Sequence, residues 1–164
     1  RPLTKMSKEI SLSTQPLPPG PKSPRIKQGD WKGYLEARRR ANYDGADAAL
    51  LINEGLVVDG DTFTPIFILK NGDIALPALE LGAVKSVTLY QILNQDDNNR
   101  INPLQTQITL SDAHSCLSAA AVGSGMGIRR IGSIDGNEIG GKSDVDLATI
   151  LLQKQYQDRR ENYD

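Results

Sequence analysis

The chain has 164 residues, of which 19 are basic and 20 acidic, so its net charge is −1. This length suits one domain with a substantial core, and the balanced charge gives no field that would attract nucleic acid or an anionic membrane. Cys116 is the single cysteine, which excludes an internal disulfide. The sequence has no run of eighteen apolar residues to span a membrane. Since residues 1–26 also carry no apolar signal segment, we expect a cytoplasmic protein.

The first 26 residues are rich in proline, lysine and serine, with Pro16, Pro18, Pro19 and Pro21 close together. This composition disfavours a helix or a central strand and is typical of an extended linker. A ligand for a proline-recognition domain is the alternative. We therefore expect a proline-rich interdomain linker over residues 1–26 and a folded domain over residues 27–164.

Helical periodicity follows the linker. Residues 30–43 place Trp31 and Tyr34 near one face, and Asp30 is a suitable N-cap, so this segment predicts a helix. Gly45 is expected to end it. The three arginines at positions 38–40 fan around the helix, and we expect a solvated face with one ion-paired arginine.

Four short apolar runs come next, and each is bounded by turn residues that predict a buried strand. They lie at residues 48–53, 56–58, 65–69 and 74–76. Asn71 followed by Gly72 is a strong hairpin signal. Strands joined this closely are expected to pair antiparallel.

The second half of the chain alternates helices with strands. The predicted elements are a helix at residues 83–94, a strand at 105–110, a short helix capped by Ser111 and Asp112 that includes His114 and Cys116, strands at 119–122 and 128–134, and a final helix that begins at Asp144 and frays after Gln153. This mixture of elements predicts an α/β or α+β domain.

Two segments have the composition of a phosphate-binding loop. Residues 86–88 lie at a predicted helix start, where unpaired amides and the helix dipole favour an anion. The glycines and serine at 123–125 can bend into a nest of amides, and Lys70 or Lys85 is a candidate for added positive charge. Each segment also has an ordinary structural explanation, as a helix cap or as a turn between strands. Neither matches a Walker or dinucleotide motif.

Ligands for transition metals are scarce. His114 is the single histidine, and Cys116 falls on a different face of the predicted helix. We therefore expect no metal site and no Cys–His catalytic pair.

Lys27 precedes the first helix, and Asp59 ends the second predicted strand. An amine and a carboxylate at opposite ends of one pocket are what a pyridoxal ring requires. The amine forms the Schiff base, and the acid keeps the ring nitrogen protonated so that the ring acts as an electron sink. Lysines and aspartates are common, so these two residues alone are a weak signal.

Four segments together resemble a known family. Residues 24–31, 34–38, 45–51 and 134–140 are similar, in the same order, to motifs of the class IV (fold type IV) pyridoxal-phosphate enzymes, which include branched-chain and D-amino-acid aminotransferases and aminodeoxychorismate lyase. The similarity extends from about Lys22 to Tyr156. It implies a mixed α/β, α+β-like fold in which a largely antiparallel or mixed sheet curls into a partial barrel with flanking helices.

The resemblance also implies roles for particular residues. Lys27 would be the Schiff-base lysine of pyridoxal 5'-phosphate, and Asp59 would be the acid on its ring nitrogen. The implied cofactor ligands at the phosphate are Ser86, Val87, Thr88, Gly123, Ser124 and Gly125. The implied substrate-binding residues are Trp31, Thr62, Thr64 and Met126. On this basis we expect an aminotransferase, or a closely related lyase, that acts on an amino acid or an amino-substituted acid.

The sequence departs from the family's pattern at four positions. Asp59 replaces a glutamate, Pro65 an asparagine, Ser86 a glycine and Leu89 an arginine. Pro65 also removes one backbone donor. These changes bear on substrate preference and on cofactor binding.

The family's smaller N-terminal domain has no counterpart in residues 1–26. That domain supplies an arginine for the cofactor phosphate and part of the substrate pocket, some of it across a dimer interface. We therefore expect residues 27–164 to be the cofactor-binding large domain, completed by a separate or cleaved N-terminal half in a homodimer-like assembly. The alternative is a catalytically altered domain that serves as a binding or assembly module with a separate N-terminal half.

Overall fold

The computed structural model describes residues 9–19, 31–94, 101–140 and 146–161, with side chains placed as far as residue 156. Three residues with predicted roles, Lys27, Asp30 and Asp144, lie outside these ranges. No helix within the described ranges combines the length and the apolar character needed to cross a bilayer.

Nine strands and four helices make up the described part of the chain. The strands are β1 (Ile10–Pro16), β2 (Ala48–Asn53), β3 (Leu56–Gly60), β4 (Thr64–Ile68), β5 (Ile74–Pro77), β6 (Leu104–Thr106), β7 (Ser118–Gly123), β8 (Gly127–Ile134) and β9 (Asn137–Glu138). The helices are α1 (Lys32–Tyr43), α2 (Val87–Leu93), α3 (Leu110–His114) and α4 (Leu147–Glu161). A short 3-10 turn at Leu79–Leu81 precedes α2.

The strands form one mixed sheet in the order β3-β2-β1-β8-β7-β4-β5-β6, and β9 pairs with β8 outside this path. β1 is parallel to both of its neighbours, whereas β7 is antiparallel to both of its own. After β6 the chain reaches the opposite edge, where the Val57 amide donates to the Ile108 carbonyl oxygen at 2.8 Å and the Leu110 amide donates to that of Gly55 at 3.1 Å. The sheet is therefore curled far enough to bring its two edges together, which confirms the predicted partial barrel.

Apolar side chains pack on both faces of this sheet, because successive residues of a strand point to opposite sides. In β7, Ala119 and Ala121 belong to the cluster inside the barrel, whereas Ala120 and Val122 belong to a second cluster beneath α2 and α4. A third cluster joins α1 to the outer face of β2, where Leu51 is fully buried. The three helices that flank the sheet are thus fixed by apolar contacts on its outer face.

Several predicted turns are confirmed by the backbone. Glu54 and Gly55, with φ of 51° and 76°, connect β2 to the antiparallel β3, and Asp135 and Gly136, with φ of 50° and 78°, connect β8 to β9. Two consecutive positive φ angles match the twist of a tight hairpin, and glycine at the second position adopts them without strain. Gly45, with φ of 86°, follows the end of α1 as predicted.

The linker prediction is wrong for Ile10–Pro16, which form β1 in the middle of the sheet. The polar residues of this strand are satisfied by partners far along the chain. Asp47 accepts hydrogen bonds from the amide and hydroxyl of Ser11, and Asp135 does the same for Thr14. Proline ends the strand, where its missing amide costs least.

Three further predictions need correction. The cap of α3 is Thr109, whose hydroxyl oxygen accepts from the Asp112 amide at 3.0 Å while the Asp112 carboxylate accepts from the Thr109 amide at 3.0 Å. This capping box starts the helix at Leu110 and shortens the strand predicted at 105–110, and Cys116 lies beyond the helix. The helix predicted at 83–94 begins only at Val87. The last helix continues to Glu161 rather than fraying after Gln153.

The expectation of antiparallel neighbours holds for β2 with β3 and for β4 with β5, but not for β3 with β4. The chain leaves β3 at one edge of the sheet and enters β4 between β5 and β7. The short connection, residues 61–63, crosses an end of the barrel, and this crossing builds the site described next.

Candidate active site

A cavity of about 230 Å³ opens at the end of the barrel where β3 and β7 finish and β4 begins. Four segments that are distant in sequence form its walls: the start of α1, the β3–β4 turn, the start of α2 and the end of β7. Nine predicted site residues line it, namely Trp31, Asp59, Thr62, Thr64, Ser86, Val87, Thr88, Gly123 and Ser124. Gly125 and Met126 are not in the lining, and Met126 packs against the barrel core instead.

Asp59 places a buried carboxylate in the wall of the cavity. Its side chain belongs to a residue only 4% exposed. Oδ1 accepts a hydrogen bond from the Gly60 amide and Oδ2 accepts one from the Val84 amide, both at 2.9 Å. These two donors fix the orientation of the carboxylate and offset part of the cost of burying it.

The β3–β4 turn depends on a glycine at position 60. The Gly60 amide donates to the Phe63 carbonyl oxygen at 3.1 Å, and a Cβ at this position would lie 2.5 Å from the same oxygen. Glycine alone permits that approach. The turn carries Thr62 and Thr64 to the cavity.

Gly123 brings the end of β7 against this turn. A Cβ at position 123 would lie 2.7 Å from the Thr62 carbonyl oxygen and 3.5 Å from the Phe63 Cα. Two walls of the cavity are therefore in direct backbone contact, and a side chain at position 123 would separate them.

The α2 wall joins a structural role to an open one. The Ser86 hydroxyl oxygen accepts from the Leu89 amide at 3.2 Å, so Ser86 is the N-cap of α2. A hydroxyl that accepts in this way still has its proton to donate. The amides of Val87 and Thr88 begin the helix, where no intrahelical acceptor exists for them.

Lys85 adds positive charge beside this wall. It lines the cavity, and its Nζ lies 4.1 Å from the centroid of the Tyr90 ring, within the range of a cation–π contact. Lys70, the other lysine considered from the sequence, is exposed and is not part of the lining.

Two aromatic residues from α1 complete the cavity. Trp31 and Tyr34 pack edge to face, with ring centroids 5.6 Å apart and an angle of 65° between the planes. Burial, and then the charge of Asp59, raise the pKa of the Tyr34 phenol. The sequence placed Tyr34 only on the apolar face of the helix. Its spacing of three from Trp31 was the available signal for a shared site.

Arg38 ties α1 to the β3–β4 turn. Its Nη1 donates to the Thr62 hydroxyl oxygen at 3.1 Å, and its Nε lies 3.9 Å from Oδ2 of Asp61. Thr62 in turn donates its hydroxyl proton to Oδ1 of Asp61 at 2.9 Å, and Oδ2 accepts from the Ala49 amide at 2.9 Å. The Thr62 hydroxyl is thus already engaged on both sides, which leaves its backbone, rather than its hydroxyl, to face a ligand.

The arginine run at 38–40 contains a second pairing as well. Nη1 of Arg40 lies 3.7 Å from Oε1 of Glu36, four residues earlier on the same helix. The expectation of one ion-paired arginine is therefore wrong, because two of the three form ion pairs.

The groups around the cavity fit pyridoxal phosphate. A buried carboxylate suits a protonated ring nitrogen, and hydroxyl and amide donors with a neighbouring cation suit a phosphate. Among the residues that the structure describes, no group of three His, Cys, Asp or Glu side chains is arranged to hold a metal ion.

Comparison with known proteins identifies the family. The sequence profile described as "Amino-transferase class IV" matches residues 1–134. The chain belongs to the class IV aminotransferase family. A putative branched-chain-amino-acid aminotransferase of Methanocaldococcus jannaschii is 29% identical over 152 residues, which cover 92% of this chain and 52% of that protein. This class IV chain therefore spans about half the length of the curated relative.

Solved structures show that the fold is shared. The Escherichia coli branched-chain amino acid aminotransferase gives a TM-score of 0.80 at 14% identity, covering 95% of this chain and 53% of that one. A putative 4-amino-4-deoxychorismate lyase from Legionella pneumophila gives 0.79 at 20% identity, covering 93% and 57%. A branched-chain amino acid aminotransferase from T.th., solved with N-(5'-phosphopyridoxyl)-L-glutamate, gives 0.78 at 19% identity, covering 91% and 51%. The class IV fold predicted from the sequence is confirmed.

Proposed function

We propose that this chain is the cofactor-binding part of a pyridoxal-phosphate-dependent aminotransferase or closely related lyase, with Lys27 as the Schiff-base lysine. One observation carries the proposal: Asp59 and both predicted phosphate segments line a single cavity. Membership of the class IV family supports it.

Asp59 would hold the ring nitrogen. When bound, the cofactor supplies an electron sink for the electron pair released at the substrate Cα. The carboxylate keeps the proton on the ring nitrogen, and the amides of Gly60 and Val84 keep that carboxylate in place. An aspartate is one methylene shorter than the family's glutamate, so the ring must bind correspondingly closer to β3.

The α2 and β7 walls would hold the phosphate. Ser86 and Ser124 bring hydroxyl protons, the first amides of α2 bring further donors, and Lys85 brings a cation to the same side. Anchoring the phosphate at one end and the ring nitrogen at the other fixes the ring against the attacking amine.

Lys27 would carry the covalent link and then move a proton at the substrate Cα. It precedes Trp31 by four positions, so covalent connectivity alone limits the distance between the two Cα atoms to about 14 Å. Since Trp31 lines the cavity, this limit is consistent with an amine that reaches the ring.

The substrate would be an amino acid or an amino-substituted acid. The curated relative is named as a branched-chain aminotransferase, while the similar structures include both that activity and a lyase. Transamination and elimination begin from the same Schiff base and differ in where later protons are placed. Because the chain spans about half of its relatives, we propose that an N-terminal half, in a homodimer-like assembly, completes the substrate pocket.

A second candidate is a catalytically altered domain that serves as a binding or assembly module. Two observations favour it: the half-length match and the Arg38–Asp61–Thr62 network, which occupies a hydroxyl predicted to bind substrate. Such a domain would keep the fold, and it would bind the cofactor without processing an amino donor.

Absorbance spectroscopy separates these candidates. The chain, together with any polypeptide that copurifies, should give a near-visible Schiff-base band with pyridoxal phosphate, and a branched-chain amino acid should discharge that band. Lys27→Ala should abolish it, whereas Lys70→Ala, at an exposed position outside the cavity, should not. Absence of any band from the complete assembly would overturn the proposal, and a band that no amino donor discharges would favour the second candidate.

A further inference from the structure

Tyr34 is held tightly in the wall of the cavity. The residue is 8% exposed, and its ring packs against Trp31 and within the cluster that joins α1 to β2. A phenylalanine would supply all of these apolar contacts. The hydroxyl therefore needs a separate explanation, because burying a polar group without a partner costs about 1–3 kcal/mol.

The hydroxyl has no protein partner among the described residues. No hydrogen bond links it to any of them, and Tyr34 is not one of the residues with further contacts. Its oxygen is also not sealed in the interior: within the described ranges, His114 Nε2 is the single buried side-chain polar atom without a partner. Because Tyr34 is almost fully buried and lines the cavity, the oxygen is exposed to the cavity itself.

The electrostatic surroundings keep this phenol protonated. Burial raises its pKa, and the negative charge of Asp59 raises it further. A neutral phenol is a hydrogen-bond donor as well as an acceptor. The cavity wall near Asp59 thus offers a carboxylate that attracts a proton beside a hydroxyl that can give a hydrogen bond.

We propose that Tyr34 is a ligand-positioning residue whose hydroxyl donates a hydrogen bond to an oxygen substituent on the bound pyridine ring, on the Asp59 side of the cavity. This inference rests on the proposed function, since it takes the ligand to be pyridoxal phosphate. The carboxylate would select the protonated ring nitrogen and the phenol an acceptor elsewhere on the ring, so that together they set the rotation of the ring in its plane.

Tyr34→Phe tests this role, with Tyr43→Phe as the matched control. Tyr43 is at the end of the same helix and is 94% exposed. Dissociation constants are measured by equilibrium dialysis for pyridoxal 5'-phosphate and for its 3-deoxy analogue, which lacks the ring oxygen. Tyr34→Phe should weaken binding of pyridoxal 5'-phosphate about 5- to 50-fold and leave that of the analogue within about 2-fold.

The outcomes distinguish the levels of the argument. Equal weakening for both ligands, or a fall in thermal stability, would show that Tyr34 acts through packing alone and would overturn the inference. Unchanged affinity for both ligands would overturn it as well. Wild-type protein that binds neither ligand would overturn the proposed function, and the role of Tyr34 with it.

Discussion

Substituting Gly123 by alanine should open the cavity by forcing two of its walls apart. The new Cβ would lie 2.7 Å from the Thr62 carbonyl oxygen, and ordinary contact begins near 3.4 Å. One of two backbones must therefore move by about 0.7 Å. Neither can move freely, because the turn is fixed by the Gly60–Phe63 hydrogen bond and β7 is paired on both sides.

The cost can be set from these contacts. Overpacking of this kind costs about 1–3 kcal/mol, and the lower entropy of the unfolded alanine chain returns about 0.4–1 kcal/mol. The free energy of unfolding should fall by about 1–2 kcal/mol, which lowers Tm by roughly 2–8 °C in a chain of this size. Affinity for pyridoxal phosphate should fall too, because both displaced segments line the cavity.

Gly125→Ala is the matched control in the same hairpin. A Cβ there meets nothing within 4 Å, and the residue does not have a positive φ. Its stability should stay the same or rise by up to about 1 kcal/mol. Urea denaturation of both variants measures the difference. Equal stability and equal affinity for the two variants would refute the close packing of β7 against the β3–β4 turn.

Three other measurements probe the surroundings of the site. Arg38→Gln should lower the free energy of unfolding by about 1–2 kcal/mol in urea, because the buried Asp61 loses its cation while the guanidinium is partly screened by solvent; Arg39→Gln, at an exposed position, should change it by less than about 0.5 kcal/mol. Burial raises the pKa of the Cys116 thiol to about 12, so a thiol reagent at pH 8 should label it about 10³-fold more slowly in the folded than in the unfolded protein, and this group's contribution to stability should be lost as pH rises from about 9 through about 12. Trp31, the single tryptophan, lines the cavity, and its fluorescence should be quenched when pyridoxal phosphate binds; unchanged emission at saturation would place the ligand elsewhere.

Local sequence signals predicted the elements that local chemistry determines. The hairpin at Glu54 and Gly55 follows from residues that tolerate positive φ, and the end of α1 follows from Gly45. The alternation of apolar residues likewise indicated which strands are buried. In each case, the information lies within a few residues of the feature.

The central strand β1 could not be predicted in this way. Its composition resembles a linker, because Ser11, Thr14 and Gln15 are polar. Their partners are 29 to 121 residues away, on Asp44, Asp47 and Asp135, so their burial becomes favourable only in the folded sheet. The resemblance motifs began after this strand, and periodicity alone gave no reason to extend the domain upstream.

The site was predicted in part for a similar reason. Motif order brought nine of the candidate residues to one cavity, but it did not indicate that Tyr34 faces Asp59 or that Arg38 reaches the β3–β4 turn. Those contacts depend on the angle at which α1 crosses β2, which is set by packing around Leu51 and Ala37. Gly125 and Met126 were assigned by adjacency in sequence, and the hairpin carries them away from the lining.

The covalent attachment of the cofactor is the central claim, and it can be tested directly. Pyridoxal phosphate is added to the native assembly, the Schiff base is reduced with borohydride, and the modified peptide is identified by mass spectrometry. The account predicts one phosphopyridoxyl group on Lys27 and less labelling when Asp59→Ala removes the partner of the ring nitrogen. Labelling spread over exposed lysines such as Lys70, or a modified peptide that lacks Lys27, would contradict it.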